Sequence, residues 1–370
     1  LKAWAIPVFV LSFAPACALL VGLEDKELGL PDATTDPTPA DAAGDAGAAF
    51  ETIATQQDRP MDLAVDATHV YWINEGGQLR RRGKGSAAVP ETMAMGLSSP
   101  RWIAVDGQYA FWCAANTPQL KDDAGIPSRQ ILIGRVDKTR PGQPEEIFSG
   151  GFDGLRRLAL FDGYKTLGDA GTQSDGFLFS AFSQASNNDS IRRYSRTGGN
   201  DSTLANNQDG VSAITVDDTN VYWAVRQTRT LRGRVKEGNV PPTNFATLSD
   251  ITTDLAVDPT HVYALLASGA VYRMPKAPPN TLELVTQGPA GGQRLALDGT
   301  EVYFTVAIEG DSDGRVYTAP KNPSTRPPTL LADRQGEPRG LAIDQDPATK
   351  KKSVYFVARS EGAVKRVFVR

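Results

Sequence analysis

An all-β fold, built from one repeated four-stranded unit closed into a ring, is predicted from three observations. First, the stretch Leu63–Trp72 reads as a strand, a tight turn opened by an aspartate, and a second strand. The chain writes it again over Ile103–Trp112, Ile214–Trp223, Leu255–Ala264, Leu295–Phe304 and Leu341–Phe356, with a damaged copy over Leu158–Phe179. Second, the turn aspartates Asp66, Asp106, Asp162, Asp217, Asp258, Asp298 and Asp344 are spaced by 40, 56, 55, 41, 40 and 46 residues. Four strand-like runs in about forty residues is the period of a propeller blade. Third, 35 glycines and 25 prolines punctuate short runs rich in Val, Thr, Tyr, Phe and Trp, an all-β composition with many turns. The expectation is a seven-bladed β-propeller over residues 50–370.

Residues 1–23 precede the repeats. They hold Lys2, then an apolar run to Leu23 broken only by Pro7 and Pro15, the pattern of an export signal or membrane anchor. Ala14-Pro15-Ala16 is a small-x-small cleavage pattern and Cys17 follows it directly. This resembles a bacterial lipoprotein signal, which implies lipid attachment at Cys17. It departs from that pattern at Ala14, where a branched apolar residue is expected, and at Pro15. Ordinary secretion and a retained anchor remain as alternatives. All three place the rest of the chain outside the cytoplasm, in a bacterial cell envelope or secreted, and confine membrane contact to the N-terminus.

Residues 24–49 carry seven acids and one lysine among Pro, Ala, Gly and Thr. Such a segment cannot bury a core and reads as a disordered acidic tether. The formal net charge of the whole chain is −4, so the remainder is nearly neutral and gives no electrostatic case for nucleic acid. With Cys17 and Cys113 as the only cysteines, a disulfide framework and a cysteine zinc site are excluded.

From Phe50 the repeats begin. The run before Pro60 resembles the fourth strand of a unit, Leu331–Pro338, yet nothing before it supplies strands one to three. The last unit has a third strand at Ala363–Val369 and no fourth. The predicted solution is that the N-terminal strand completes the C-terminal blade, which closes the ring and protects both edges. Segments 114–130, 163–176, 183–190 and 345–352 read as enlarged loops. A basic position recurs on the third strand at Arg135, Arg193, Arg234, Arg273 and Arg366, often followed by a Pro-Lys or Lys-containing turn.

At Pro60–Asp66 and Pro338–Asp344 the chain resembles the first strand of NHL-type and virginiamycin-lyase-like bacterial propeller repeats. The resemblance covers residues 50–370 and implies the fold; it does not fix a function, because such propellers include binding scaffolds, lyases, lactonases and envelope proteins. Lyases of this kind use a catalytic histidine. Here His69 and His261 occupy the same repeat slot in two blades, so they are expected far apart around the ring and structural.

The turn aspartates recur in every unit and read as turn formers. Adjacent aromatics on the second strand, such as Tyr71 and Trp72, point to opposite sheet faces and read as packing between blades. Arg80, Arg81, Arg82 and Lys350–Lys352 read as solvated charges, and Cys113 as a buried apolar side chain. Arg101, Arg156, Arg294 and Arg339 precede or begin first strands, which line a propeller channel. They are the candidate ligand funnel, suited to a carboxylate, a phosphate or an acidic protein segment. Loops 114–130 and 307–314 are expected on the same face. No catalytic residue, metal ligand or cofactor site is assigned. The expected function is a monomeric binding scaffold for a protein, a glycan or a small anionic ligand. The alternative is a lactonase-like or lyase-like enzyme with a metal in the channel, to which Asp62 and Asp254 would contribute.

Overall fold

The structure is a computed structural model. It describes residues 50–369 except 86–87, 122–126, 152–153, 161–176, 184–188, 197–200, 209, 309, 311, 325 and 347–348; for 114–121, 127–131, 149–151, 154–158, 160, 177–183 and 201 it describes backbone pairing alone. The expected signal segment with Cys17, the tether and Asp162 lie outside the described residues.

Strand β1 (Phe50–Ala54) comes first. The next four, β2 (Pro60–Val65), β3 (His69–Asn74), β4 (Gln78–Gly83) and β5 (Glu91–Ala94), pair in chain order as one four-stranded antiparallel sheet. The pattern repeats in β6 (Pro100–Val105), β7 (Tyr109–Lys121), β8 (Pro127–Asp137) and β9 (Pro144–Gly151), and in β10 (Gly154–Leu160), β11 (Phe177–Ser183), β12 (Asp189–Ser195) and β13 (Asp201–Gln208). It continues in β14 (Val211–Val216), β15 (Asn220–Val225), β16 (Thr230–Val235) and β17 (Thr243–Thr247), then in β18 (Thr252–Val257), β19 (His261–Leu266), β20 (Ala270–Pro275) and β21 (Glu283–Gln287). Strands β22 (Gly292–Leu297), β23 (Glu301–Val306), β24 (Gly314–Pro320) and β25 (Thr329–Gln335) form another sheet. In the last, β26 (Pro338–Gln345), β27 (Lys352–Ala358) and β28 (Ala363–Val369) are joined by β1 on the outer edge. Phe50 pairs with Val367 and Ala54 with Val364, so the first strand of the chain is the fourth strand of the last sheet.

The first strand of each sheet packs on the first strand of the next, β2 on β6 and so on through β10, β14, β18 and β22 to β26, and β26 packs on β2. The architecture is a β-propeller of four-stranded blades. Both faces of the second strand are therefore covered, and β3, β15, β19 and β23 are buried from their second residue onward. Such two-sided burial explains runs like Val70-Tyr71-Trp72-Ile73, which do not alternate. Tyr71 packs towards Ile103, Ala110 and Trp112 of the following blade. Trp72 packs towards Ile53, Tyr355 and Val364 of the preceding one. The aromatic pairs are inter-blade packing, as expected.

Segment 114–130 departs from expectation. It is largely strand, because β7 and β8 extend past the sheet as a long hairpin. Arg80, Arg81 and Arg82 are also not solvated. Arg80 donates to Gln57 Oε1 at 3.1 Å, Arg81 pairs with Glu91 and donates to Lys138 O at 2.6 Å, and Arg82 donates to Ile53 O at 2.6 Å. Each of these contacts except Arg81–Glu91 crosses to a neighbouring blade. The recurrent third-strand arginine behaves alike: Arg273 bonds Glu283 on its own blade and Lys321 O on the next. Arg234 is out of step by one residue. Gly233 holds the slot opposite Tyr222, and Arg234 instead donates to Leu204 O of the preceding blade.

Asp66, Asp106, Asp217, Asp258 and Asp298 form turns and also tie blades together; Asp344 instead lies within β26, and Asp346 accepts the Thr349 amide in the turn that follows. Asp66 Oδ1 accepts the Thr68 and His69 amides, both at 2.8 Å, and Oδ2 accepts the Tyr71 hydroxyl at 2.9 Å. The same Oδ2 lies 2.6 Å from Lys138 Nζ, which follows the third strand of the next blade. Asp217 with Lys276 and Asp258 with Lys321 repeat this at 2.6 and 3.0 Å, Arg196 takes the lysine role for Asp106 at 3.1 Å, and Asp298 pairs at 2.7 Å with Lys352, which begins the second strand of the next blade. Burial opposes the charge on Asp66, Asp258 and Asp298. The lysine, the two amides and the other donors at each turn outweigh that burial and hold each carboxyl well below the usual range, to about 2 for Asp298.

Candidate functional site

Each inner strand begins with a break in pairing. The register with the second strand shifts between Pro60 and Asp62, Pro100 and Trp102, Leu155 and Arg157, Val211 and Ala213, Thr252 and Asp254, and Gly292 and Arg294. In the last blade it shifts one residue later, between Arg339 and Leu341. A bulge of this kind leaves one residue unpaired, bends the strand and re-aims a side chain. The residues so released are Met61, Arg101, Arg156, Ser212, Thr253 and Gln293.

A cavity of about 410 Å³ opens at this end of the inner strands. Met61, Arg101, Ser212, Thr253, Gln293 and Arg339 line it, one from each blade with described side chains at this position. Trp102, Arg294 and Arg226 add to the wall. The structure thus brings Arg101, Arg294 and Arg339 together on one cavity. Arg156 lies at the bulge of β10, but its side chain is outside the described residues. Arg226 was not foreseen. It lies in the turn after β15, where the clue was a basic residue directly following Val221-Tyr222-Trp223-Ala224-Val225.

Four guanidinium groups line the wall, and no carboxylate is among the described lining residues. Arg101 and Arg226 are exposed, Arg339 is half-buried and Arg294 is buried. The Arg294 guanidinium stacks on the Trp102 ring at 4.2 Å and lies 3.4 Å from Asp62 Oδ1.

Asp62 and Asp254 serve the ring. Asp62 Oδ2 accepts the Ile103 amide at 3.2 Å, and Asp254 Oδ2 accepts the Leu295 amide at 2.9 Å. Each donor amide is on the inner strand of the following blade, so these carboxylates are latches between first strands. Among the described residues, no group of three His, Cys, Asp or Glu side chains is placed to hold a metal.

His69 and His261 stand at the first positions of β3 and β19, at the opposite end of the blade from the cavity. Each Nδ1 lies 2.8 Å from the preceding threonine hydroxyl. Cys113 is fully buried, and burial pushes its thiol well up. The loop at 307–313 joins β23 to β24 on the cavity side; Glu309 and Asp311 lie outside the described residues, and Asp313 pairs with Arg315 at 3.0 Å.

No family model matches the chain, and no curated protein matches it. Solved structures do. A streptogramin B lyase structure aligns with TM-score 0.62 at 12% identity over 88% of this chain and 99% of that one. A selenomethionine-substituted virginiamycin B lyase from Staphylococcus aureus aligns with TM-score 0.61 at 13% identity over 87% and 99%. YCF48 bound to D1 peptide aligns with TM-score 0.58 at 12% identity over 88% and 96%. At such identities the likeness shows a propeller fold and nothing about activity.

Proposed function

We propose that the chain is an exported, surface-tethered propeller of seven blades that acts as a binding scaffold and takes an anionic ligand in the channel cavity. The observation that carries the binding reading is the convergence of Arg101, Arg226, Arg294 and Arg339 on one cavity, with no carboxylate among the described lining residues. Guanidinium groups suit carboxylate and phosphate, which they grip through paired donors. The blade count is supported by seven four-stranded sheets among the described residues and by β1 lying beside β28. Export and tethering rest on residues 1–49, with lipid attachment at Cys17. YCF48, which shares the propeller fold, is bound to a D1 peptide, and this makes an acidic peptide segment one eligible ligand here. The enzyme alternative needs carboxylates free to hold a metal in the channel, and the engagement of Asp62 and Asp254 weighs against it.

The test is thermal unfolding of the full chain with citrate, phosphate, calcium or galactose. A ligand that binds only the folded state stabilises it by about 2.7 kcal/mol at a hundredfold excess over its dissociation constant. Citrate or phosphate is expected to raise the melting temperature, and the double variant Arg101→Gln with Arg226→Gln to lose that shift. A shift with calcium alone, reversed by chelator, would overturn the reading in favour of the metal enzyme.

A further inference from the structure

Residues that directly follow a second strand share one backbone contact. The amide donates to the carbonyl of the residue that precedes the inner strand of the same blade: Glu75 to Arg59 at 3.1 Å, Arg226 to Gly210 at 2.8 Å, Ala267 to Ile251 at 2.8 Å and Arg359 to Glu337 at 3.3 Å. Arg226 and Arg359 therefore occupy equivalent positions in two blades. Their surroundings differ. Arg359 Nη1 lies 2.7 Å from Glu337 Oε2, and its Nη2 lies 3.0 Å from Glu75 Oε2. Glu337 precedes the inner strand of the same blade, and Glu75 follows the second strand of the next. Clasped between these two carboxylates, Arg359 is buried.

In the blade of β14–β17 the corresponding two positions are held by Gly210 and Ala267. Neither carries a carboxylate. Arg226 is exposed, and among the described residues nothing bonds its guanidinium. Gly210, Arg226 and Ala267 all line the cavity. There is room as well as charge. Among the described residues, a Cβ added at Gly210 would meet nothing nearer than Arg226 Cβ at 3.5 Å, an ordinary contact. We infer that the ligand is a small dicarboxylic acid, whose two carboxylates take at Arg226 the places that Glu337 and Glu75 take at Arg359. Each terminal nitrogen of the guanidinium then donates to a separate carboxylate, a charge-assisted bond in both cases. In the last blade a second cation shares the load, since Arg59 pairs with Glu75 at 3.0 Å. Arg101, exposed on the same cavity, is the second cation for the ligand. The volume, about 410 Å³, falls in the range of small-molecule sites.

This inference rests on the anion-binding reading above, and one titration series separates the two. Calorimetry on the full chain compares glutarate with valerate, which has the same number of carbons and one carboxylate, and with the capped dipeptide acetyl-Glu-Glu-amide. Glutarate is expected to bind about tenfold more tightly than valerate, the worth of one charge-assisted hydrogen bond. In Arg226→Gln the ratio of the valerate to the glutarate dissociation constant is expected to fall towards one. Ala267→Glu places a carboxylate where Glu75 stands in the first blade. It is expected to pair with Arg226, to weaken glutarate about tenfold and to leave the melting temperature of the unliganded protein no lower. Equal affinity for glutarate and valerate in the unaltered protein would overturn the dicarboxylate inference and leave the anion site standing. Unchanged glutarate binding in both folded variants would move the ligand off Arg226 and overturn it too. Tighter binding of the dipeptide than of glutarate would overturn the small acid in favour of an acidic peptide. Failure of every anion to bind would overturn both readings.

Discussion

Lys84 Nζ lies 2.7 Å from Asp344 Oδ2, although the two residues belong to the first and last blades. Lys84 follows the third strand of its blade and Asp344 lies near the end of β26. This is the lysine–aspartate contact that joins other neighbouring blades, here made across the point where the two ends of the array meet. Both side chains are mostly buried, so the pair ranks above an exposed ion pair and below a fully desolvated one. Replacing Lys84 by Met is expected to lower unfolding free energy by about 1–2 kcal/mol, read by urea denaturation. An unchanged midpoint would show that the contact contributes nothing to closure.

Gln57 is the second fastening at that junction. It follows β1, and its Oε1 accepts the indole N–H of Trp72 at 2.9 Å in the first blade, with Arg80 Nη1 at 3.1 Å. Gln57→Leu removes the acceptor and leaves a buried donor unsatisfied, a loss of about 1–3 kcal/mol. Thr55→Ala, at an exposed site nearby, is expected to change the unfolding midpoint little. Similar losses in both variants would refute a specific role for the Gln57–Trp72 bond.

Acid should loosen the ring. Asp66, Asp258 and Asp298 have folded values below the unfolded value of about 4. A depressed carboxyl contributes stability above the unfolded value and loses it as pH falls through the folded one. The melting temperature is therefore expected to fall between pH 4 and about 2, the value for Asp298. Asp298→Asn should be less stable at neutral pH and show a shallower acid limb. An identical acid limb in that variant would assign the loss to other groups.

Gly340 marks a close approach of the last blade to the first. Its φ is +47°, and a methyl group there would lie 2.8 Å from Leu63 N and 2.9 Å from Asp62 Cα. Backbone cannot yield as a flexible side chain would. Gly340→Ala is expected to cost about 2 kcal/mol or more from the left-handed backbone and the overlap together. Wild-type stability in this variant, measured calorimetrically, would mean that β26 and β2 can separate without penalty.

The parts of this architecture that were legible in sequence are those written within one repeat. The turn aspartates announce themselves because their first bonds reach only two and three residues ahead, as from Asp66 to Thr68 and His69. The placement of β1 was legible because Ile53–Pro60 copies Leu331–Pro338. What was hidden depends on the neighbouring repeat. Lys138 looks like an ordinary turn residue until the ring places it against Asp66. The bulges that release Arg101, Ser212 and Gln293 at the cavity leave no composition signature, so the arginines at 101, 294 and 339 were visible and the polar side chains of Ser212, Thr253 and Gln293 were not. The long spacing from Asp106 to Asp162 made 114–130 read as loop; residues there instead lengthen β7 and β8, which pair as far as Lys121 and Pro127.

Because Phe50 lies opposite Val367 on adjacent strands of one blade, the two ends of the repeat array are already neighbours. The covalent gap sits inside a blade, bridged by backbone hydrogen bonds, while the joint between the last and first blades resembles other joints. The point at which the repeat array begins is then a matter of wiring. A circular permutant that links Val369 to Phe50 through a short hairpin and opens instead at the exposed 277–281 turn should retain the same ring, with the break moved to a different blade.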